Sequence, residues 1–350
     1  MKTSILMSAI GLALLSLLSG CDFFSATGMS KKAGVNATGI AYEIVVVVKP
    51  DIWNDPVGAA IKNELISEIP GLPQYEPSMR VMQVAPDDFN GMLTYVRNIL
   101  VVDVNESQYT KASVRTENDR WANGQAVVYL SAPAKDSLSA YLQQHPGMLV
   151  KYYTQVEMER LAEYYKKTYS SWIYEKLKAK FDIGLNVPED FSSYKDTTDF
   201  FWATNDTRFG QTYIAVYTFP YTDKNTFTGD YLIARRDSMM RLYIPGSLPG
   251  SYMRTTEFVT YTPISLQGKY CGVLRGLWDT YGDMMGGPFV SYARLDEVNN
   301  RVIVTEGFVF APETDKRSYI RRIEAALHTL QLPGESTGTA PDENPTALQQ

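Results

Sequence analysis

Two aspartates lie in a glycine-rich stretch beside Trp278: Asp279 follows it directly and Asp283 comes shortly after. A third acid, Glu306, interrupts an apolar run next to Gly307. Two carboxyl groups at a suitable separation act as general acid and general base in glycoside hydrolysis. Asp279, Asp283 and Glu306 are therefore the candidate catalytic residues. The structural alternative is that the two aspartates cap turns while Glu306 pairs with an arginine.

The same stretch also has the composition of a recognition site. Trp278 lies between the opposite charges of Arg275 and Asp279, and large aromatics beside arginine are common where a few residues dominate binding. We therefore predict a binding surface on the segment 245–288, centred on Arg275, Trp278 and Asp279. The alternative is a stabilising flap in which Trp278 is buried against a sheet.

The start of the chain has the pattern of a lipoprotein signal. Lys2 precedes an apolar run from Ile5 to Leu18, and Ser19 and Gly20 lead into Cys21. The run is shorter than the ~20 residues of a membrane span and is typical of a secretory signal. We expect cleavage before Cys21, lipidation of that cysteine and export to the periplasmic face or the cell surface. The alternative is an ordinary secretory peptide with an incidental cysteine.

Composition excludes several classes of function. The chain has 350 residues, 45% hydrophobic and 21% charged, with a net charge of −6 and no long run of Lys or Arg, so we expect no nucleic-acid partner. Two cysteines and two histidines do not indicate a metal centre. Neither a P-loop nor a dinucleotide-binding glycine motif is present, and we expect no cofactor. Cys271 is then expected to be a small buried apolar residue.

One pattern occurs twice along the chain. Apolar strands end at prolines in the same order, and Ala-Pro-x-x-Asp recurs before a final helix. The matched positions are Pro50 and Pro188, Pro86 and Pro220, Arg97 and Arg235, and Pro133 and Pro312. We therefore predict an α+β protein of two related β-α-β-α-β-β-α halves, an internal duplication joined by a long helical segment.

The predicted boundaries follow from this pattern and from the composition of the ends. Both ends are polar and lack apolar periodicity, which is typical of linkers and disordered tails. The predicted segments are a signal peptide (1–20), a flexible tether (21–39), a first half (40–147), a helical connection (148–180), a second half (181–332) with an irregular insertion (245–288), and a disordered tail (333–350).

Several short motifs resemble a known family. They are Leu72-Pro73-Gln74 with Glu76-Pro77, Arg97-Asn98-Ile99, Asp199-Phe200 with Trp202, Arg236-Asp237, Ile244-Pro245-Gly246, Arg275-Gly276-Leu277-Trp278, Gly287-Pro288-Phe289, and Glu306-Gly307-Phe308-Val309 with Ala311-Pro312. On these motifs the chain resembles, over nearly all of its length after the signal, the lipoproteins of Bacteroidetes grouped as domain of unknown function 4837. The resemblance implies a location and an architecture and is silent on chemistry.

The sequence thus favours a binding or scaffolding module over an enzyme. Its expected partners are the membrane, through an N-terminal lipid, and envelope proteins or glycans. The alternative function is an envelope glycan or polysaccharide hydrolase that uses the paired carboxylates.

Overall fold

The computed structural model describes residues 34–207 and 210–335. The predicted signal peptide, Cys21 and most of the predicted tail lie outside these residues. Within them the chain forms two β-sheets and seven α-helices, which confirms the α+β class.

A mostly parallel sheet forms the first part of the described chain. Its five strands take the order β2-β1-β3-β5-β4, and only β4 runs antiparallel to its neighbour. The elements are β1 (Glu43–Val47), α1 (Pro50–Trp53), α2 (Pro56–Leu65), β2 (Arg80–Val84), β3 (Asn98–Val104), β4 (Ser113–Asn118), β5 (Ala126–Ala132) and α3 (Lys135–Gln144), with two short 3-10 turns at Pro86–Asp88 and Gly91–Tyr95.

Both faces of the central strand β1 are covered. Its even-numbered residues, such as Val46, pack under the helices, and its odd-numbered residues, such as Val45, pack against Phe89 and Trp121. The unbroken apolar run from Ile44 to Val48 predicts this arrangement, because a strand with two buried faces does not alternate.

Two helices connect the first sheet to the second, as the helical connection predicts: α4 (Met148–Tyr165) and α5 (Ser171–Phe181). The start of α4 packs on the first sheet through Leu149 and Tyr153, whereas Met158 and Tyr165 belong to the core of the second. The helix α4 therefore joins the two cores.

A fully antiparallel sheet of seven strands forms the second part, in the order β6-β7-β8-β12-β11-β10-β9. One face packs on α6 and the other on α5 and α7. The elements are β6 (Ser193–Asp196), β7 (Phe200–Thr207), β8 (Gly210–Pro220), a 3-10 turn (Lys224–Phe227), α6 (Gly229–Tyr243), β9 (Tyr252–Leu266), β10 (Lys269–Tyr281), β11 (Gly286–Asp296), β12 (Arg301–Phe310) and α7 (Arg317–Leu327).

The predicted irregular insertion at 245–288 is wrong in its conformation. Most of it forms the long strands β9 and β10, which extend the second sheet to its edge. Glycines lie at its ends and turns and also within β10, at Gly272 and Gly276, while the stretch from Phe258 to Thr262 is aromatic and β-branched and has high strand propensity.

The internal duplication is not confirmed. Pro50 begins α1, but Pro188 lies in a loop before β6; Arg97 precedes β3, but Arg235 lies within α6. Two matches are alike: Pro86 and Pro220 each lie where a strand ends ahead of a 3-10 turn, and Pro133 and Pro312 each lie between a strand and a helix. The second part also departs from the predicted element order, with three strands before its first helix and four after it. Proline marks strand ends in any topology, so its order does not establish one fold.

A carboxylate from the first part caps the last helix of the second. Glu76, which is 4% exposed, accepts hydrogen bonds from the backbone N–H groups of Lys316 and Arg317 at 2.7 and 2.8 Å. A carboxylate at a helix N-terminus is stabilising whichever part of the chain supplies it.

The predicted tether and tail are held where they enter the described residues. Ala37 donates its backbone N–H to the carbonyl of Asn123 at 2.8 Å, and Thr38 donates to Tyr95 at 2.8 Å. At the other end the Glu335 carboxylate pairs with the buried Arg294. Residues 36–38 and 335 are therefore part of the folded structure.

Candidate functional site

An irregularity in the pairing of β9 with β10 sets up the candidate site. The register shifts between Gly276 and Trp278, so that β9 bulges at this point. A Cβ on Gly276 would lie 2.4 Å from the carbonyl oxygen of Phe258, so the two backbones approach more closely than any other residue allows. The loop at Gly71 crosses β10 at the same place, with its own Cβ position 3.0 Å from the Gly276 nitrogen.

An open cleft of about 590 Å³ lies beside this bulge. Strand β9 supplies one wall, β10 and the start of β11 supply the other, and the loop after Gly71 closes one end. The lining residues are Pro73, Arg254, Thr255, Thr256, Glu257, Phe258, Leu277, Trp278, Asp279, Gly286 and Gly287.

Trp278 forms part of the cleft wall and is also a core residue. Its side chain is 2% exposed and packs edge-on against Phe308, with ring centroids 5.9 Å apart. Its indole Nε1–H is buried and has no hydrogen-bond partner among the described residues. The Cβ position of Gly287 lies 3.4 Å from that nitrogen, so this backbone packs directly against the indole. Buried donors in proteins are nearly always satisfied, so this nitrogen is an exception within the core.

An exposed ion pair lies at the cleft wall. Arg254 donates to Asp279 through Nε at 2.7 Å and Nη2 at 3.1 Å, and this bidentate hydrogen bonding and the charge of Asp279 raise the pKa of Arg254. Two stacked tyrosines extend the surface from there: the ring centroids of Tyr252 and Tyr281 are 5.2 Å apart. The Arg241 guanidinium lies over the Tyr252 ring, and the Arg254 guanidinium lies over the Tyr281 ring. We call these four residues, Arg241, Tyr252, Tyr281 and Arg254, the arginine–tyrosine ladder.

A buried ion pair beneath the cleft fixes one of its walls. Arg236 on α6 and Glu306 on β12 are both fully buried, and Arg236 Nη2 donates to Glu306 at 2.8 Å. Arg236 Nη1 also donates to the Thr255 hydroxyl at 2.8 Å, and Asp237 accepts from the backbone N–H of Thr255 at 2.8 Å. The pair thereby holds Thr255, a cleft residue, against α6.

The structure brings together two of the three predicted binding residues. Trp278 and Asp279 both line the cleft, but Arg275 points to the opposite sheet face from Trp278 and pairs with Glu324 on α7. Side chains alternate along a strand, so residues 275 and 278 face opposite ways. Arg275 is therefore a structural residue.

The three candidate carboxylates do not meet. Glu306 is enclosed with Arg236 on the α6 face, whereas Asp279 is next to Trp278 in sequence and points to the other face. Asp283 caps a turn, accepting from the backbone N–H groups of Ser247 at 2.8 Å and Met284 at 2.7 Å, and the hydrogen bonds from Ser247 lower its pKa. Asp283 and Glu306 thus make the contacts of the structural alternative, whereas Asp279 pairs with Arg254 instead of capping a turn.

Sequence reasoning missed Arg254, Thr255 and Pro73. Arg254 is 25 residues from Asp279, a separation with no local signal. The motifs that carry the family resemblance held a partial signal, because Pro73, Leu277, Trp278 and Gly287 line the cleft, and Arg236 and Glu306 lie beneath it.

Two further features of the described residues bear on function. No group of three or more His, Cys, Asp or Glu side chains within 34–207 and 210–335 is placed to hold a metal ion. In the same residues, no helix combines the length and the apolar character required to cross a membrane.

Comparison with known families gives one match for each part of the chain. Residues 170–329 match the model of a family described as a domain of unknown function (DUF4837), and residues 37–166 match a second, also described as a domain of unknown function (DUF8532). The first match supports the resemblance drawn from the sequence for residues 170–329, but not its extension over the first half. No curated protein matches the chain.

Solved structures give only distant matches. The Ran-binding protein Mog1p of Saccharomyces cerevisiae matches with 10% identity and a TM-score of 0.29, over 43% of this chain and 89% of that one. The human StarD13 lipid transfer and protein localization domain matches with 10% identity and a TM-score of 0.21, over 40% of this chain and 88% of that one. Similarity at this level assigns no function.

Replacing Trp278 by alanine tests whether it is a core residue. We expect Trp278→Ala to lower the free energy of unfolding by about 3–5 kcal/mol, because it removes a large ring from a packed core. Urea denaturation measures the effect, and Trp172→Ala, at a tryptophan that is 37% exposed, is the control with a smaller loss. A Trp278→Ala protein as stable as the wild type would contradict this assignment.

The Arg275–Glu324 pair predicts a dependence of stability on pH. Burial opposes ionisation of Glu324, but the charge of Arg275 and its hydrogen bond outweigh burial and hold the pKa at about 2, below the ordinary 4.5. This stabilisation is complete above pH 4.5 and is lost as the pH falls from there towards 2. We therefore expect the stability gap between wild type and Glu324→Gln, measured by urea denaturation, to narrow below pH 4.5. A gap that stays constant from pH 7 to pH 3 would argue against it.

Proposed function

We propose that this protein is a lipid-anchored binding module of the cell envelope, and that it holds a protein partner at the cleft between β9, β10 and the loop at Pro73. The observation that carries the proposal is the cleft itself, edged by the exposed Arg254–Asp279 pair and continued by the arginine–tyrosine ladder. Phe258, 65% exposed at the cleft wall, adds an apolar contact. Exposed Tyr and Arg around a buried Trp form the composition typical of protein-binding hot spots.

The ladder favours a protein over a glycan as partner. Sugars stack on open aromatic faces, but Tyr252 packs between Arg241 and Tyr281, and Arg254 lies over Tyr281. The groups that a partner can contact here are the edges of the tyrosine rings, the guanidinium N–H groups and the Asp279 carboxylate. These groups suit the backbone and polar side chains of a polypeptide.

The alternative of a glycan hydrolase has less support from the geometry. General acid and base catalysis needs two carboxyl groups that face one substrate. Among the predicted acids, Glu306 is sealed in an ion pair and Asp283 is bound in a turn. Asp279 alone reaches the cleft, and it is paired with Arg254.

Removal of the Arg254 side chain should abolish partner binding without unfolding the protein. Exposed ion pairs contribute little to stability because solvent screens them, so Arg254→Ala should melt close to the wild type. The matched control is Arg115→Ala on β4, an exposed arginine that also pairs with a carboxylate, Glu117, and lies over a tyrosine ring. Affinity purification from gently solubilised membranes should recover the same stoichiometric partner with wild type and Arg115→Ala, but not with Arg254→Ala.

A photo-crosslinking residue at position 258 locates the contact directly. The partner should crosslink at Phe258, in the cleft wall, and not at Tyr164 on α4, which is 55% exposed and serves as the control position. Equal recovery with Arg254→Ala, or crosslinks at 164 alone, would place the binding surface elsewhere.

Lipid anchoring is tested at Cys21. We expect Cys21→Ser to abolish incorporation of labelled palmitate and to release the protein from membranes or leave it unprocessed. Cys271→Ser is the control: burial raises the pKa of this thiol to about 12, so it is unreactive, and the variant should keep the label. Wild-type labelling of Cys21→Ser would disprove lipidation at this residue.

A further inference from the structure

A second group of unpartnered donors lies where the two parts of the chain meet. It comprises Tyr42 just before β1, Arg97 just before β3 and Arg321 on α7, which packs against α4. The Arg321 guanidinium carbon lies 5.0 Å from the centre of the Tyr42 ring, and the charges of Arg321, Glu324, Glu157 and Arg97 all act on the Tyr42 hydroxyl. The three side chains therefore converge on one place.

Each of the three carries a buried donor with no partner. The Tyr42 hydroxyl, Arg97 Nε and Arg321 Nε are all enclosed and make no hydrogen bond to any of the residues that the structure describes. Tyr42 is only 5% exposed and Arg321 only 8%. Burial raises the pKa of Tyr42, so its hydroxyl remains a donor at neutral pH. Three buried donors without a hydrogen-bond partner around one point are more than folded proteins normally contain.

Positive charge is in excess at the same place. Arg97 and Arg160 share a single carboxylate, Glu157, each at 2.9 Å. Arg321 has no carboxylate within ion-pair distance among the described residues, and Glu324, one turn further along α7, is held by Arg275. These three arginines therefore have one carboxylate between them at ion-pair distance among the described residues, and Arg321 is the member that is buried without one. A buried charge without a partner is strongly unfavourable.

The surrounding residues strengthen this field. Arg317, one turn before Arg321, has its pKa lowered by burial and by the charges of Arg80 and Arg321. The Glu76 carboxylate nearby is occupied with the N-terminus of α7. The region thus favours a negatively charged ligand.

We propose that Tyr42, Arg97 and Arg321 form a binding site for a small oxyanion of the phosphate type. A tetrahedral oxyanion would supply negative charge beside Arg321, and its oxygens would accept from the two Nε–H groups and the tyrosine O–H. Guanidinium groups suit this geometry better than any other side chain. The Arg97 side chain is 24% exposed and gives the site a path to solvent.

The oxyanion would link the two parts of the chain. Tyr42 and Arg97 belong to the first sheet and Arg321 to the helix that covers the second, so a shared anion bridges them. This site is separate from the cleft, and its role does not depend on a protein partner there.

Thermal denaturation of the full chain in phosphate, against chloride at equal ionic strength, tests the site. Saturating phosphate should raise the melting temperature by about 5 °C in the wild type and in Arg322→Gln, and by about 1 °C or less in Arg321→Gln. Arg322 is the matched control, because it is the next residue of α7 and pairs with Asp190 instead.

Calorimetric titration of Tyr42→Phe gives a measurement that does not depend on Arg321→Gln being well folded. Loss of one hydroxyl donor should weaken phosphate binding about tenfold. Binding of inorganic phosphate and methyl phosphate alike would indicate the phosphate group of a larger ligand, whereas binding of the inorganic ion alone would indicate a structural anion. No stabilisation of the wild type by phosphate or sulfate beyond chloride, or an equal shift in Arg321→Gln, would overturn the proposal.

Discussion

The second sheet is covered on both faces, and this constraint decides the role of most of its charged residues. A charge that points into either face leaves water and needs a partner, since an unpaired buried charge costs several kcal/mol. Arg236 and Glu306 meet this need on the α6 face, and Arg275 with Glu324 and Arg294 with Glu335 meet it on the other. Pairing of this kind assigns Glu306 and Arg275 to structure, although their residue types alone also fitted catalysis and binding.

The same constraint gives weight to the places where pairing is incomplete. Trp278 is packed as well as any core residue, yet its indole N–H has no acceptor, and the cleft beside it is open. At the junction of the two sheets, Tyr42 and Arg321 combine deep burial with unused donors. Buried polar atoms without a partner also occur elsewhere in the described residues, for example in Trp202, Arg294 and Thr305, so the junction differs in having three of them close together.

Local sequence signals were enough for the class of the fold and for part of the site. The apolar run at β1 indicated a strand with two buried faces, and the segment 148–180 was predicted to be helical. Trp278 and Asp279 were predicted because the tryptophan lies between opposite charges, and both line the cleft. The partner of Asp279 and the sheet face of Arg275 depend on the pairing of β9 with β10, which no local pattern encodes. The glycines of β10 and of the turns around β9 and β10 led to the prediction of an irregular insertion in place of two long strands, because glycine is also common in loops.

The contact between Glu76 and α7 spans 240 residues of chain and has a consequence for the order of folding. During synthesis the first sheet leaves the ribosome long before α7 exists, and parts of a chain generally fold as they emerge. The acceptor for the helix N-terminus is thus in place before its donors are made. The β12 strand must also find β8 across three intervening strands, so the second sheet closes only as the end of the chain arrives. The first part of the protein therefore acts as a template on which the last helix docks and completes the second.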